Sequence, residues 1–338
     1  MSDLPLVSIV IPTYNQKPDF LRACIASAVN QTYSNLEIII SDNWSTNVNV
    51  QAVLDEFINV KNLSVAKPAE HVSMIQNFSF AAGCAKGEYI SFLSSDDTLE
   101  PDCISLLVEL VLLNPAITFA FGNIEFIESV TEEHISYQRT DAFREGVYTT
   151  KEFLDFFIHL KNSVWMNGNL INARDYNAIG GVEYEPILYS HDNALALRLL
   201  AAGATVGYVN KPLGRVRIWR AKELEEKIVK LNLLTEVNDI IECFNIVLNS
   251  PLLLKLTDGG KQKVLDIRNG LLEEKVEYAC ISYIKKYIDE DTFLEIKKKT
   301  LDNMHSNKIQ LYFLACKPPV KQILSGIIKA KNYFNPRR

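Results

Sequence analysis

Hydrophobic positions in the first half of the chain fall into short, nearly unbroken runs, separated by segments with helical spacing. The runs "LVSIVI" (6–11), "LEIIIS" (36–41), "NLSVA" (62–66), "EYISFL" (88–93) and "TFAFGNIEFI" (118–127) predict strands. Near-continuous apolar character of this kind suits strands covered on both faces. Between them, "PDFLRACIASAVNQ" (18–31) places Phe20, Leu21, Cys24, Ile25, Ala28 and Val29 on one helical face, with Pro18 in the first turn. "MIQNFSFAAGCAKG" predicts a helix closed by Gly87, and "PDCISLLVELVLLN" one that starts at Pro101 and stops before Pro115. This order of elements predicts an α/β fold with a mainly parallel sheet and right-handed crossovers. Ligands of such sheets bind outside the carboxyl ends of the strands, so Asp42 and the Asp96–Asp97 pair are expected at one edge.

From about 128 to 220 the pattern is mixed. A strand is expected at "VWMNGNLIN" (164–172), a helix at "DNALALRLLAAG" (192–203), then a short strand "TVGYVN" and the segment "GRVRIW". Beyond 221 the spacing is helical, as in "KELEEKIVKLNLLTEVNDIIECFNIVL". This shift predicts a boundary, with an α/β domain at 1–220 and a helical region at 221–338. Neither an internal repeat nor a low-complexity segment is found.

Composition narrows the class. The 338 residues hold 35 basic and 41 acidic side chains, a net charge of −6, which argues against a nucleic-acid partner bound by phosphate neutralisation. No basic stretch followed by a long apolar run opens the chain, and no segment reaches the roughly 20 apolar residues of a membrane span. Six cysteines without a C-x-x-C pair read as reduced, packed thiols, and the expectation is a cytoplasmic protein.

Four stretches carry candidate chemistry. "VSIVIPTYNQ" (7–16) runs a strand into Pro12, Tyr14 and Asn15, where Tyr14 can stack on a flat ring. "IIISDNWST" (38–46) ends a strand in Asp42 and Asn43, acceptors for a nucleobase imide or a ribose hydroxyl. "FLSSDD" (92–97) ends another strand in two carboxylates, and "GGVEYEPILYSHDNALALRL" (180–199) sets Asp192 at a helix start. Each alone also reads as an ordinary turn or helix cap, because short polar side chains bond nearby amides.

As an ordered set these stretches resemble the family-2 glycosyltransferases of bacterial surface-polysaccharide type, over roughly residues 6–220. The resemblance implies a GT-A fold and a nucleotide-sugar donor, UDP-linked, lying across the carboxyl edge of the sheet. It matches Pro12 and Tyr14 to positions flanking the base, with Asn15 next in that donor-binding loop, and Asn43, with Asp42 beside it, to the contact with uracil. It matches Asp96 to the ribose or metal, Asp97 to the metal ligand and Asp192 to the catalytic base of an inverting transfer. A divalent Mn²⁺ or Mg²⁺ cofactor and a saccharide or lipid-linked acceptor follow from it. The pattern departs from the family at His191, where Glu is frequent, at Trp219, where His is frequent, and at Asn43, where Asp is frequent.

A non-catalytic saccharide-binding or assembly module on the same fold is the alternative. The joint presence of Asp97 and Asp192 speaks against it. A nucleotidyltransferase would need a glycine-rich loop after the first strand, and "IPTYNQKPD" has none. The tail "CKPPVKQILSGIIKAKNYFNPRR" (316–338) is basic in an acidic chain. It reads either as a peripheral membrane contact or as a final packed helix with solvated lysines. Homo-oligomerisation is left open.

Overall fold

A computed structural model describes residues 4–46, 50–57, 59–137, 144–159, 166–218, 225–304 and 307–316. Residues 317–338 of the basic tail and Trp219 lie outside the described residues. The chain divides into two units, Met1–Tyr184 with His191–Arg220, and Glu185–Ser190 with Ala221–Arg338.

The first unit alternates strand and helix: β1 (Val7–Thr13), α1 (Pro18–Val29), β2 (Leu36–Asp42), α2 (Val50–Asp55), β3 (Leu63–Ala66), α3 (Met74–Gly83) and β4 (Tyr89–Phe92). It continues with β5 (Thr98–Leu99), α4 (Cys103–Leu113), β6 (Ile117–Glu128), β7 (His134–Tyr137), β8 (Gly146–Tyr148), α5 (Thr150–Phe157), β9 (Asn169–Asn172), α6 (Ala173–Ala178), α7 (His191–Ala201) and β10 (Thr205–Ile218). The strands form one sheet in the order β3-β2-β1-β4-β9-β6-β10-β5, with β7 on β6 and β8 on β10. The pairs β1–β2, β1–β4, β2–β3 and β6–β10 are parallel, and β9 enters antiparallel between β4 and β6. This is the α/β sheet that the apolar runs predict. Val7, Ile9, Val10 and Ile11 of β1 are fully buried, as expected of a strand covered on both faces.

Three details differ from the sequence reading: the strand expected at 164–172 is, among the described residues, the shorter β9, and the other two concern Gly87 and β10. Helix α3 ends at Gly83, with Cys84 as its cap, and Gly87 is not its closing residue. Gly87 instead lies against β1, where an added Cβ would come within 2.7 Å of the Leu6 carbonyl and the Ser8 hydroxyl. Only glycine fits that approach. The segments "TVGYVN" and "GRVRIW" are not separate: β10 runs through both, with register shifts at Pro212 and Gly214. Proline supplies no N–H for the ladder, so the strand bulges and continues.

The second unit is helical, with α8 (Glu225–Leu248), α9 (Pro251–Leu256), α10 (Gly260–Ile284), α11 (Glu290–Asn303) and α12 (Asn307–Ala315). Leu233, Val237, Phe244, Leu272, Val276 and Ile296 are buried within it, and the Tyr283 and Phe293 rings stack at 4.3 Å. Its short segment 185–190 is held by buried Asp239, whose carboxylate accepts the backbone N–H groups of Leu188, Tyr189 and Ser190 at 2.7–2.9 Å. No helix among the described residues is long and apolar enough to cross a membrane.

Candidate functional site at the carboxyl edge of the sheet

Parallel registry of β2, β1 and β4 brings their carboxyl ends to one edge. Pro12 lies inside β1, two residues past Val10, the last to pair with β4, so its missing N–H falls where that ladder has ended. Beyond Thr13 the chain turns sharply at Asn15 (φ +47), and after β2 it does so at Trp44 (φ +62). The two exits are laced together. The Asn43 N–H donates to the Thr13 carbonyl (2.9 Å), Asn15 N–H to Ser45 Oγ (2.9 Å), and Thr46 N–H to Asn15 Oδ1 (2.7 Å). From α3, buried Asn77 donates to the Ser41 carbonyl (3.1 Å) and accepts from the Ser41 hydroxyl (2.5 Å).

Side chains on this lacework differ in availability. Tyr14 and Trp44 are exposed, and the Tyr14 ring lies against that of His71 at 4.7 Å. Asn43 is buried, its amide bonded to both backbone groups of Val72 (2.8 and 2.9 Å). Asp42 accepts from Ser45 N–H (3.0 Å), and its other oxygen lies 3.3 Å from Lys67 Nζ. Lys67 also sits over the Trp44 ring, at 4.4 Å.

The turn after β4 joins the same surface: Gln16 donates to Ser95 Oγ (3.3 Å), and the Cys24 thiol to the Ser94 carbonyl (3.4 Å). Here the two adjacent aspartates part. Asp97 is 5% exposed, and both of its oxygens are taken, one by the Arg217 N–H (2.9 Å) and the other by the Asn167 amide (2.5 Å). Burial, and then the charge of Asp96 beside it, push Asp97 up to about 8, while those two donors and the Arg217 charge favour the anion. The Asp97 carboxylate is thus turned inward onto these two donors. Asp96 is half-buried, and its carbonyl accepts from Arg217 Nε (2.6 Å).

Asp192 is partly exposed in the first turn of α7, its Oδ1 accepting from Asn193 N–H (2.7 Å). Apolar residues from Ala194 to Leu200 bury nearly all of that helix, and His191 beside it is buried too. The chain leaves α7 into Thr205, which pairs with Ile117 at the amino end of the sheet. The first turn of α7 stands roughly 16 Å back along the helix from there.

Asn167 and Arg217 belong to this site and were not singled out in the sequence. Their signals are there: "NGNLIN" alternates amides with apolar residues, and "RVRI" sets arginines in a strand. Buried polar groups on a strand face must find partners.

Among the described residues no three His, Cys, Asp or Glu side chains gather to hold a metal. A closed protein cage does not fit. One open carboxylate at Asp96 does fit a hard cation that keeps its waters and takes most of its remaining ligands from phosphate oxygens.

Comparison with known proteins agrees with this architecture. Residues 8–168 match the family model "Glycosyl transferase family 2". The chain is 30% identical over 128 residues to an uncharacterized glycosyltransferase of Haemophilus influenzae, covering 38% of this chain and 39% of that protein. It is 26% identical over 223 residues to glycosyltransferase GlyA of Streptococcus pneumoniae, covering 63% and 30%. It is 23% identical over 220 residues to the O-antigen biosynthesis protein RfbC of Myxococcus xanthus, covering 64% of this chain and 16% of that one. The chain thus spans well under half the length of these curated relatives. Among solved structures, S. aureus TarS 1–349 in complex with UDP superposes with a TM-score of 0.58 at 13% identity, covering 88% of each chain. The same protein is also solved in complex with UDP-GlcNAc. With the sheet and its carboxyl-edge loops accounted for, residues 8–168 of this chain match glycosyltransferase family 2, and the fold is of the GT-A type seen in TarS.

Proposed function

We propose that the protein is an inverting glycosyltransferase that moves a sugar from a UDP-sugar to the hydroxyl of a saccharide or lipid-linked saccharide. The observation that carries this is the laced carboxyl edge: three strand exits joined into one surface, with the Tyr14 ring and the Asp96 carboxylate left open on it. Tyr14 offers a flat face for uracil, and Asp42 an acceptor near it. Asp96 would hold a divalent cation brought in with the diphosphate. Such a cation, when bound, neutralises the charge that develops on the leaving diphosphate. Asp192 takes the proton of the acceptor hydroxyl, which attacks C1 opposite the leaving group and inverts it. A positioned base of this kind contributes about 10² to 10⁴ in rate. Relatives named for O-antigen biosynthesis and as chondroitin synthase support a polysaccharide setting.

The test is a set of UDP-sugars screened with and without Mn²⁺ for a rise in melting temperature, then for UDP release. Asp192→Asn should keep the donor-induced rise and lose at least about 10² in turnover. An Asn variant that melts lower, with activity tracking only its folded fraction, would make Asp192 a structural residue.

A further inference from the structure

The turn that offers Asp96 is held by a closed ring of hydrogen bonds. Ser94 N–H donates to Asn167 Oδ1 (2.7 Å), and the Asn167 amide donates to one oxygen of Asp97 (2.5 Å). The other Asp97 oxygen accepts the Arg217 N–H (2.9 Å), and Arg217 Nε returns to the Asp96 carbonyl (2.6 Å). Across the turn itself, the Asp97 N–H donates to the Ser94 carbonyl (3.0 Å).

Arg217 does more than close the ring. Its side chain is 2% exposed, and its guanidinium lies over the Phe20 ring at 4.4 Å. The far end of the fork donates to Glu132 Oε1 (2.6 Å) and to the Ser129 carbonyl (3.4 Å), both in the β6–β7 turn. That turn is firm in its own right, since Glu128 accepts the N–H groups of Val130 and Thr131 at 2.7 and 2.6 Å. A planar fork fixed at one end therefore sets the position of the Asp96 carbonyl at the other. A carbonyl fixed in place fixes the Cα of the same residue, and with it the point from which the Asp96 carboxylate extends and the rotamers open to it.

We infer that Arg217 is the positioning residue for the Asp96 carboxylate, holding it toward a diphosphate-bound cation by a guanidinium fork braced on Glu132. This rests on the reading of Asp96 as the cation's protein ligand. Arg217 touches neither donor nor acceptor in this scheme, and its effect appears as metal-dependent affinity. The backbone N–H that anchors Asp97 survives any side-chain change, so a variant at 217 frees the Asp96 carbonyl and the β6–β7 turn while Asp97 keeps its partners.

Calorimetry of UDP binding, in EDTA and in Mn²⁺, tests this on the full chain. Arg217→Met should leave metal-free UDP affinity within about twofold and reduce the gain on adding Mn²⁺ by tenfold or more. Arg217→Lys should fall between the two, because one ammonium cannot serve Asp96 and Glu132 at once. Full rescue by lysine would mean that charge alone matters, and would overturn the positioning role. So would equal losses with and without Mn²⁺, or no loss at all. Should Arg217→Met fail to fold, Glu132→Gln loosens the brace from outside. It should cut the Mn²⁺ gain by about threefold at an unchanged melting temperature, and no change there would overturn the inference. A wild-type protein with no Mn²⁺ gain would remove the cation reading of Asp96, and the inference with it.

Discussion

The turns after β2 and β4 answer one problem in opposite ways. Both end a buried parallel strand at the same edge, and both carry an aspartate at the exit. At Asp42 the carboxylate, itself buried, turns outward to a half-exposed cation, the Lys67 ammonium, over an exposed tryptophan. At Asp97 the carboxylate goes inside and is matched by one backbone N–H and one buried amide, which cannot move away. Inward placement ties the Asp97 carboxylate into the turn, while that of its half-buried neighbour Asp96 lies outside this pairing. Two adjacent carboxylates at a strand end need not share a job; one can be the foundation of the other.

The sharpest break of this contrast is Asp97→Ala. It strands the Arg217 N–H and the Asn167 amide in the interior, and denaturant unfolding should show a loss on the order of 3 kcal/mol. A loss below 1 kcal/mol would mean that the turn does not depend on that carboxylate. Next in size is Asn43→Ala, which leaves the N–H and carbonyl of Val72 without their partner. About 1–2 kcal/mol should be lost if that pairing holds the β2 exit. Smallest is the Asp42–Lys67 pair, open to water on its lysine side. A double-mutant cycle of Asp42→Ala with Lys67→Ala should give a coupling under about 1 kcal/mol. Asp96→Ala belongs at this low end for stability, within about 0.5 kcal/mol, although it should abolish the Mn²⁺ gain in UDP affinity.

Much of the frame is legible in the sequence, because apolar runs of six or seven residues leave few alternatives to buried strands. The strands expected at 6–11, 36–41 and 118–127 are β1, β2 and β6, displaced by two residues at most. Pro18 starts α1 as its fixed φ suggests. What sequence patterns do not carry is the direction of a polar side chain at a strand exit. "SSDD" says that two carboxylates lie there. It does not say that Asp97 turns inward, because its partners come 70 residues later at Asn167 and 120 residues later at Arg217. Nor do the residues around Asn43 say that its amide turns to Val72, 29 residues away. Gly87 shows the limit for glycine, since a helix-closing residue and a close-packed one look alike until the neighbouring strand is seen.

The grip of Asp239 on the amides of residues 188–190 has a consequence for synthesis. A chain made from its amino end delivers those amides about fifty residues before the carboxylate that receives them. Until α8 follows, the three N–H groups bond water, and the stretch leading into His191 and Asp192 lacks the cap it has in the finished protein. A fragment that stops at residue 220 never acquires it. Limited proteolysis of such a fragment should cut first within 185–190, while the full-length chain is protected there.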